Sequence, residues 1–127
     1  MNHLELIAVL AVNQYLFFGA MTGKARRVSG LEAPAIQGAI RFERMYRVQM
    51  NTLEMLAAFL PLLFIAGRYQ QPIVISLLGS VYLLGRFVYW RAYVTEPATR
   101  TLGFMLTLVP IVLLSIVAMF GIFRSLL

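Results

Sequence analysis

Four apolar runs, residues 4–21, 48–66, 73–93 and 102–123, dominate the sequence and set what the chain can become. Each is near the roughly 20 residues that span a bilayer as a helix. In lipid the backbone must satisfy its own hydrogen bonds, which favours a helix over an isolated strand. Hydrophobic residues make up 61% of the chain and charged ones 13%, against about 45–50% and 25% in soluble domains. A soluble core cannot use that much apolar surface. The expected fold is all-α: an integral membrane four-helix bundle forming one domain over residues 1–127.

The helices are placed at about 4–22, 35–66, 73–94 and 97–123. The second is set to begin after Pro34, ahead of the membrane, and Pro61 should bend it or demand local compensation. The sequence Thr95-Glu96-Pro97 is a helix-start signal, which puts Arg100 in the opening turns of the fourth. The first run lacks a small-residue cleavage site and reads as a retained anchor.

Charge placement orients the bundle. Lys24, Arg26, Arg27, Arg41, Arg44 and Arg47 lie between the first two runs, and Arg86, Arg91 and Arg100 lie around the connection between the last two. Only Arg68 and Arg124 belong to the other side. By the positive-inside rule both long connections face the cytoplasm and both termini face outward.

There is no cysteine, and the single histidine is His3. A disulfide, a cysteine nucleophile and a metal site are therefore not expected. Any thiol chemistry must use a thiol brought by a ligand. No nucleic-acid partner is expected.

One stretch breaks the apolar pattern. Glu43, Arg44, Arg47, Asn51 and Glu54 recur at helical spacing and share one arc of a helix. Tyr82, Arg86, Tyr89 and Tyr93 do the same in the third run. A carboxylate within a span costs about 2.5–3.5 kcal/mol on insertion scales, so such stripes should face each other or a neighbouring subunit. For Lys24, Arg41 and Arg91 snorkelling is the plainer reading, and for Asn13 and Gln14 interhelical bonding. Glu54 is different, since anchoring does not explain a carboxylate that deep, and a structural ion pair is its one serious alternative to a ligand contact. Functionally, arginines and tyrosines offer donors to an anion, and a carboxylate beside an amide suits an ammonium. A small peptide with two carboxylates and one amine fits that inventory. Arg100, a cation at a helix start where anions are favoured, suits a thiolate.

The stretch FERMYRVQMNTLE closely resembles the signature of the membrane-associated proteins in eicosanoid and glutathione metabolism, the MAPEG family. KARR before it and VYLLGRFVYWRAY after it continue the likeness, which is greatest to the leukotriene-forming and microsomal glutathione transferase members. The resemblance implies a homotrimer in a bacterial inner membrane, with glutathione as co-substrate bound between subunits. It implies that Arg47, Gln49, Asn51 and Glu54 hold the tripeptide from the second helix, Tyr89 and Tyr93 from the third, and Arg26 from an adjacent subunit. Arg100 matches the arginine assigned to thiolate formation, and Arg27 one proposed to protonate a lipid product. Met55 stands where those enzymes have a ligand-contacting tyrosine, and Val88 and Thr95 replace basic residues.

The implied activity is conjugation of glutathione to a lipophilic electrophile from the bilayer, with reduction of lipid hydroperoxides as a second reaction. Two other classes stay open. A lipid-binding scaffold of the same fold would bind glutathione weakly. A small four-span efflux transporter that inserts in both orientations needs balanced loops, which the charge asymmetry disfavours.

Overall fold

The computed structural model describes residues 2–127. Four helices follow in order: α1 (Asn2–Ser29), α2 (Ile40–Gly67), α3 (Pro72–Thr95) and α4 (Thr101–Leu126), with a short 3₁₀ turn at Pro97–Thr99. All four are long and apolar enough to cross a membrane.

The helix ends depart most from the sequence-based placement in three places, each with a local cause. Residue 22 does not end α1, because nothing in Lys24 to Ser29 interrupts it; Gly30 does, at φ +71°. Leu31 N–H donates to the Arg26 carbonyl at 3.1 Å and Gly30 N–H to that of Arg27 at 3.2 Å. That is a Schellman closure, in which glycine adopts the left-handed conformation without a Cβ penalty. Arg26 and Arg27 thus sit on the last turn of a rigid 28-residue helix rather than in a loop. At 1.5 Å per residue α1 is about 42 Å long, more than the roughly 30 Å hydrocarbon core.

The start expected at 35 gives way to Ile40. Gly38 holds φ +155°, and a Cβ there would lie 2.7 Å from the Leu31 side chain, so the chain folds back against Leu31 before α2 begins. Glu43 closes this entry by accepting the Gly38 N–H at 3.4 Å. The start expected at 97 is the 3₁₀ turn, and α4 proper begins at Thr101. Arg100 is therefore the residue just ahead of α4, not within its opening turns. Helix α2 runs through Pro61 to Gly67, and α3 opens with Pro72 in its first turn, where the missing N–H costs nothing.

Small residues set how closely α3 and α4 approach. A Cβ on Gly103 would collide with the Tyr89 backbone, and one on Gly85 would come within 2.7 Å of the Leu106 carbonyl carbon. The two backbones thus touch one turn after Arg100. Between α1 and α3, Gln14 donates its side-chain amide to the Leu83 carbonyl at 2.9 Å. This is the interhelical bonding expected of that residue.

The interior divides along the helix axes. Toward the end that holds His3, Arg68 and Arg124, the core is apolar and includes Leu4, Ile7, Phe59, Leu63, Ile75 and Leu114. Toward the end with most of the basic residues, Phe18, Phe42, Met45, Val48 and Tyr89 form a second cluster. Between the two lies a polar layer.

Candidate site on the polar layer

Arg86 is fully buried and occupies the centre of that layer. One guanidinium nitrogen donates to Asn51 Oδ1 at 2.8 Å and to Thr52 Oγ1 at 3.2 Å on α2. Its Nε donates to Thr107 Oγ1 on α4 at 3.0 Å. The guanidinium carbon lies 4.4 Å from the centre of the Tyr89 ring, a cation–π contact. None of these partners is a carboxylate. Arg86 Nη2 and the Tyr82 hydroxyl are buried without a hydrogen-bond partner among the described residues.

This bonding fixes Asn51. Arginine only donates, so Arg86 takes one lone pair of the Asn51 oxygen; the second lone pair and the amide N–H groups remain. Asn51 beside Glu54, which carries the negative charge, thus keeps both acceptor and donor capacity toward a ligand.

Glu54 sits on the outer edge of the same stripe. Its Oε1 accepts from Arg47 Nη1 at 3.2 Å, two turns away along α2, with the side chains 49% and 53% exposed. In water such a pair contributes only about 0–1 kcal/mol. The ion-pair alternative raised for Glu54 is thus present, but it lies on an open face of a membrane-spanning helix rather than inside the bundle. Facing lipid, it would be costly.

Tyr89 and Tyr93 stack on α3 with ring centres 5.5 Å apart and an interplanar angle of 20°. Gly103, one turn after Arg100, packs on the Tyr89 backbone, and Arg86 joins Asn51 of α2 to the Tyr89 ring. The fold thus gathers Arg47, Asn51, Glu54, Tyr89, Tyr93 and Arg100 along the α2–α3 face and the start of α4. The Arg100 guanidinium is exposed and donates to the Pro97 carbonyl at 2.9 Å.

A MAPEG family pattern matches residues 4–120. The chain belongs to the MAPEG family. It is 44% identical to an uncharacterized protein of Synechocystis over 80% of this chain and 74% of that one. It is 34% identical to microsomal glutathione S-transferase 2 of Homo sapiens, over 96% of this chain and 83% of that one. Leukotriene C4 synthase of Bos taurus is 32% identical over 76% of this chain and 65% of its own. The resemblance carried by FERMYRVQMNTLE is borne out. With four apolar helices, this MAPEG member is a multi-pass integral membrane protein.

Three expected site residues stand apart from the gathered face. Arg26 folds over the Phe42 ring at 4.5 Å and donates to the Ala35 carbonyl at 2.7 Å. Arg27 is exposed. Gln49 lies against Gly19 of α1, its Nε2 3.3 Å from where a Cβ would stand. Sequence reasoning passed over Arg86 as a site residue. Its place in the tyrosine stripe was a signal, but Thr52 and Thr107 carry no periodicity of their own. Among the described residues no three His, Asp or Glu side chains group as a metal site requires.

Proposed function

We propose that this MAPEG member is a glutathione transferase whose site is completed between neighbouring subunits of a homotrimer. The observation that carries the reading is the Arg47–Glu54 pair, held half exposed on a span beside Asn51 and Tyr89. A charged pair on a lipid-facing surface is costly. A neighbouring subunit and an anionic peptide with one amine would cover it.

In this reading the glutathione amine meets Glu54. Its carboxylates take Arg47, the Asn51 N–H and the tyrosines. Arg26 and Gln49, which stand apart within one chain, reach the ligand of a neighbouring subunit. Arg100 holds the thiol as thiolate, using its guanidinium and the start of α4. The sulfur then attacks an electrophilic carbon of a lipophilic substrate; the S–C bond forms as a leaving group departs with its electron pair. Where the substrate is an epoxide, the ring oxygen takes that pair and a proton, with Arg27 as the donor. With a hydroperoxide, two glutathiones yield the disulfide, an alcohol and water. The enzyme's part is position and charge, with no covalent intermediate on the protein. The basic end faces the cytoplasm of a bacterial inner membrane, where glutathione is available.

The homologous scaffold reading is disfavoured by the presence of both Arg47 and Glu54. The test is a glutathione-thiolate absorbance titration of the purified protein in detergent, with turnover on an aryl halide and an organic hydroperoxide. Saturable thiolate absorbance with turnover is expected. Glutathione binding without thiolate or turnover would leave a scaffold.

A further inference from the structure

A second concave feature lies away from the polar layer, between α1, α2 and α3 at the basic end. It is a cavity of about 360 Å³ whose rim carries four cations from three helices, Lys24, Arg41, Arg44 and Arg91, and no acidic residue. Two of the four are held over it. Arg44 Nη1 donates to the Val94 and Thr95 carbonyls at 3.3 and 3.0 Å across the α2–α3 gap. Arg91 lies 5.5 Å from the centre of the Trp90 ring. Cations that merely snorkel reach away from the protein into the headgroup layer; these converge on one depression.

The wall of that cavity leads deeper into the membrane. Trp90 lines it, packs edge-on against Phe17 at 5.5 Å and lies tilted against Phe87 at 6.4 Å. Phe17 and Phe87 in turn line a second hollow, of about 320 Å³, with Leu10 and Leu83. Asn13 and Gln14 also border it, but the Gln14 amide is turned to the Leu83 carbonyl. The two hollows and the Trp90, Phe17 and Phe87 rings between them together mark out a trough along α1 and α3, cationic at one end and aliphatic at the other. From Lys24 to Leu10 it extends about 21 Å at 1.5 Å per residue, against about 15 Å for one hydrocarbon leaflet.

We infer that this trough is a binding site for an anionic phospholipid, its phosphate at Lys24, Arg41, Arg44 and Arg91 and one acyl chain laid along Trp90, Phe17 and Phe87 to Leu10. Charge selects the ligand: four cations with no acid on the rim favour a lipid with net negative charge over a zwitterionic one. The inference does not depend on the glutathione reading, since none of the four cations is assigned to that site.

The experiment is native mass spectrometry of the full chain released from detergent after incubation with phosphatidylglycerol or phosphatidylcholine, normalised per subunit. Phosphatidylglycerol should be retained at least tenfold better than phosphatidylcholine. The combined change Lys24→Gln, Arg41→Gln, Arg91→Gln should abolish that preference, leaving Arg44 to hold α2 against α3. Arg68→Gln with Arg124→Gln, at the opposite end, should leave it intact. Should the triple variant lose helix content by circular dichroism, Arg91→Gln alone replaces it and should reduce the preference severalfold. Glycerol phosphate, the head without tails, should not displace the lipid; Leu10→Trp, which fills the trough below, should weaken retention. Equal retention of both lipids, a preference that survives removal of the cations, or displacement by glycerol phosphate would each overturn the inference. Glutathione turnover measured on the same samples reads the other site separately.

Discussion

The two halves of the bundle solve different problems. The half that holds His3, Arg68 and Arg124 is closed by apolar packing, with Phe59 stacked on Tyr82 at 3.8 Å between ring centres and Leu63 and Leu114 fully buried. Where it meets the apolar half, the basic half buries an arginine instead, and holds it with neutral hydrogen-bond partners on two helices, α2 and α4. The first half can be inferred to stabilise the fold. The second accepts the desolvation of a charge, a cost that packing alone would avoid, and it is there that the candidate site lies.

The sharpest way to break this division is Phe59→Ala. Truncating a buried phenylalanine costs about 3–5 kcal/mol, so thermal unfolding in detergent should move down sharply. Glutathione affinity of the fraction that remains folded should not change. An affinity loss of similar size would mean that the halves are not separable.

Glu54→Gln should do the reverse. Losing one charged hydrogen bond costs about 1.5–3 kcal/mol, which is roughly 10- to 150-fold in glutathione affinity by calorimetry. Unfolding should barely move, because the pair with Arg47 is half exposed. Unchanged affinity would return Glu54 to a purely structural pairing.

Next in size is Arg100→Ala. Bound glutathione should hold its thiol below the cysteine reference of about 8.5. The cation stabilises the charged form, so its removal raises the thiol pKa and less thiolate is present near neutral pH. A shift of about one unit means a roughly tenfold loss of turnover, recovered in part as pH rises past the new value. Arg100→Lys should fall between. Coincident pH–rate profiles for wild type and the alanine variant would leave Arg100 a membrane anchor.

The smallest effect is expected from Arg124→Gln, within about 0.5 kcal/mol in stability and without effect on glutathione binding. A large change there would place function at the apolar end as well.

Sequence reasoning reached different depths in the two halves. The four spans were legible because about 20 apolar residues in lipid leave the backbone little choice. The stripe of Arg47, Asn51 and Glu54 was legible because helical spacing puts those residues on one arc. The entry to α2 was not, since it turns on Gly38 meeting Leu31, a contact between residues without periodicity. Nor was the orientation of Asn51. That depends on Arg86 approaching from α3, and the approach depends on Gly103 letting α4 touch the Tyr89 backbone. Residue types announce a polar layer. Which atom of each is already paired becomes visible only when three helices meet.

Arg86 has a consequence for ion permeation. Arg86 puts one positive charge in the middle of the bundle with neutral hydrogen-bond partners, while the Arg47–Glu54 pair on the outer face sums to zero. A sodium ion or proton passing about 7 Å from that charge, at an effective dielectric constant near 20, meets a barrier of about 2.4 kcal/mol from this term alone. Anything drawn along the same path by its charge must be an anion. That term alone slows a cation by roughly 60-fold along this path, and voltage-clamp recordings of reconstituted bilayers should show no cation conductance above that of lipid alone.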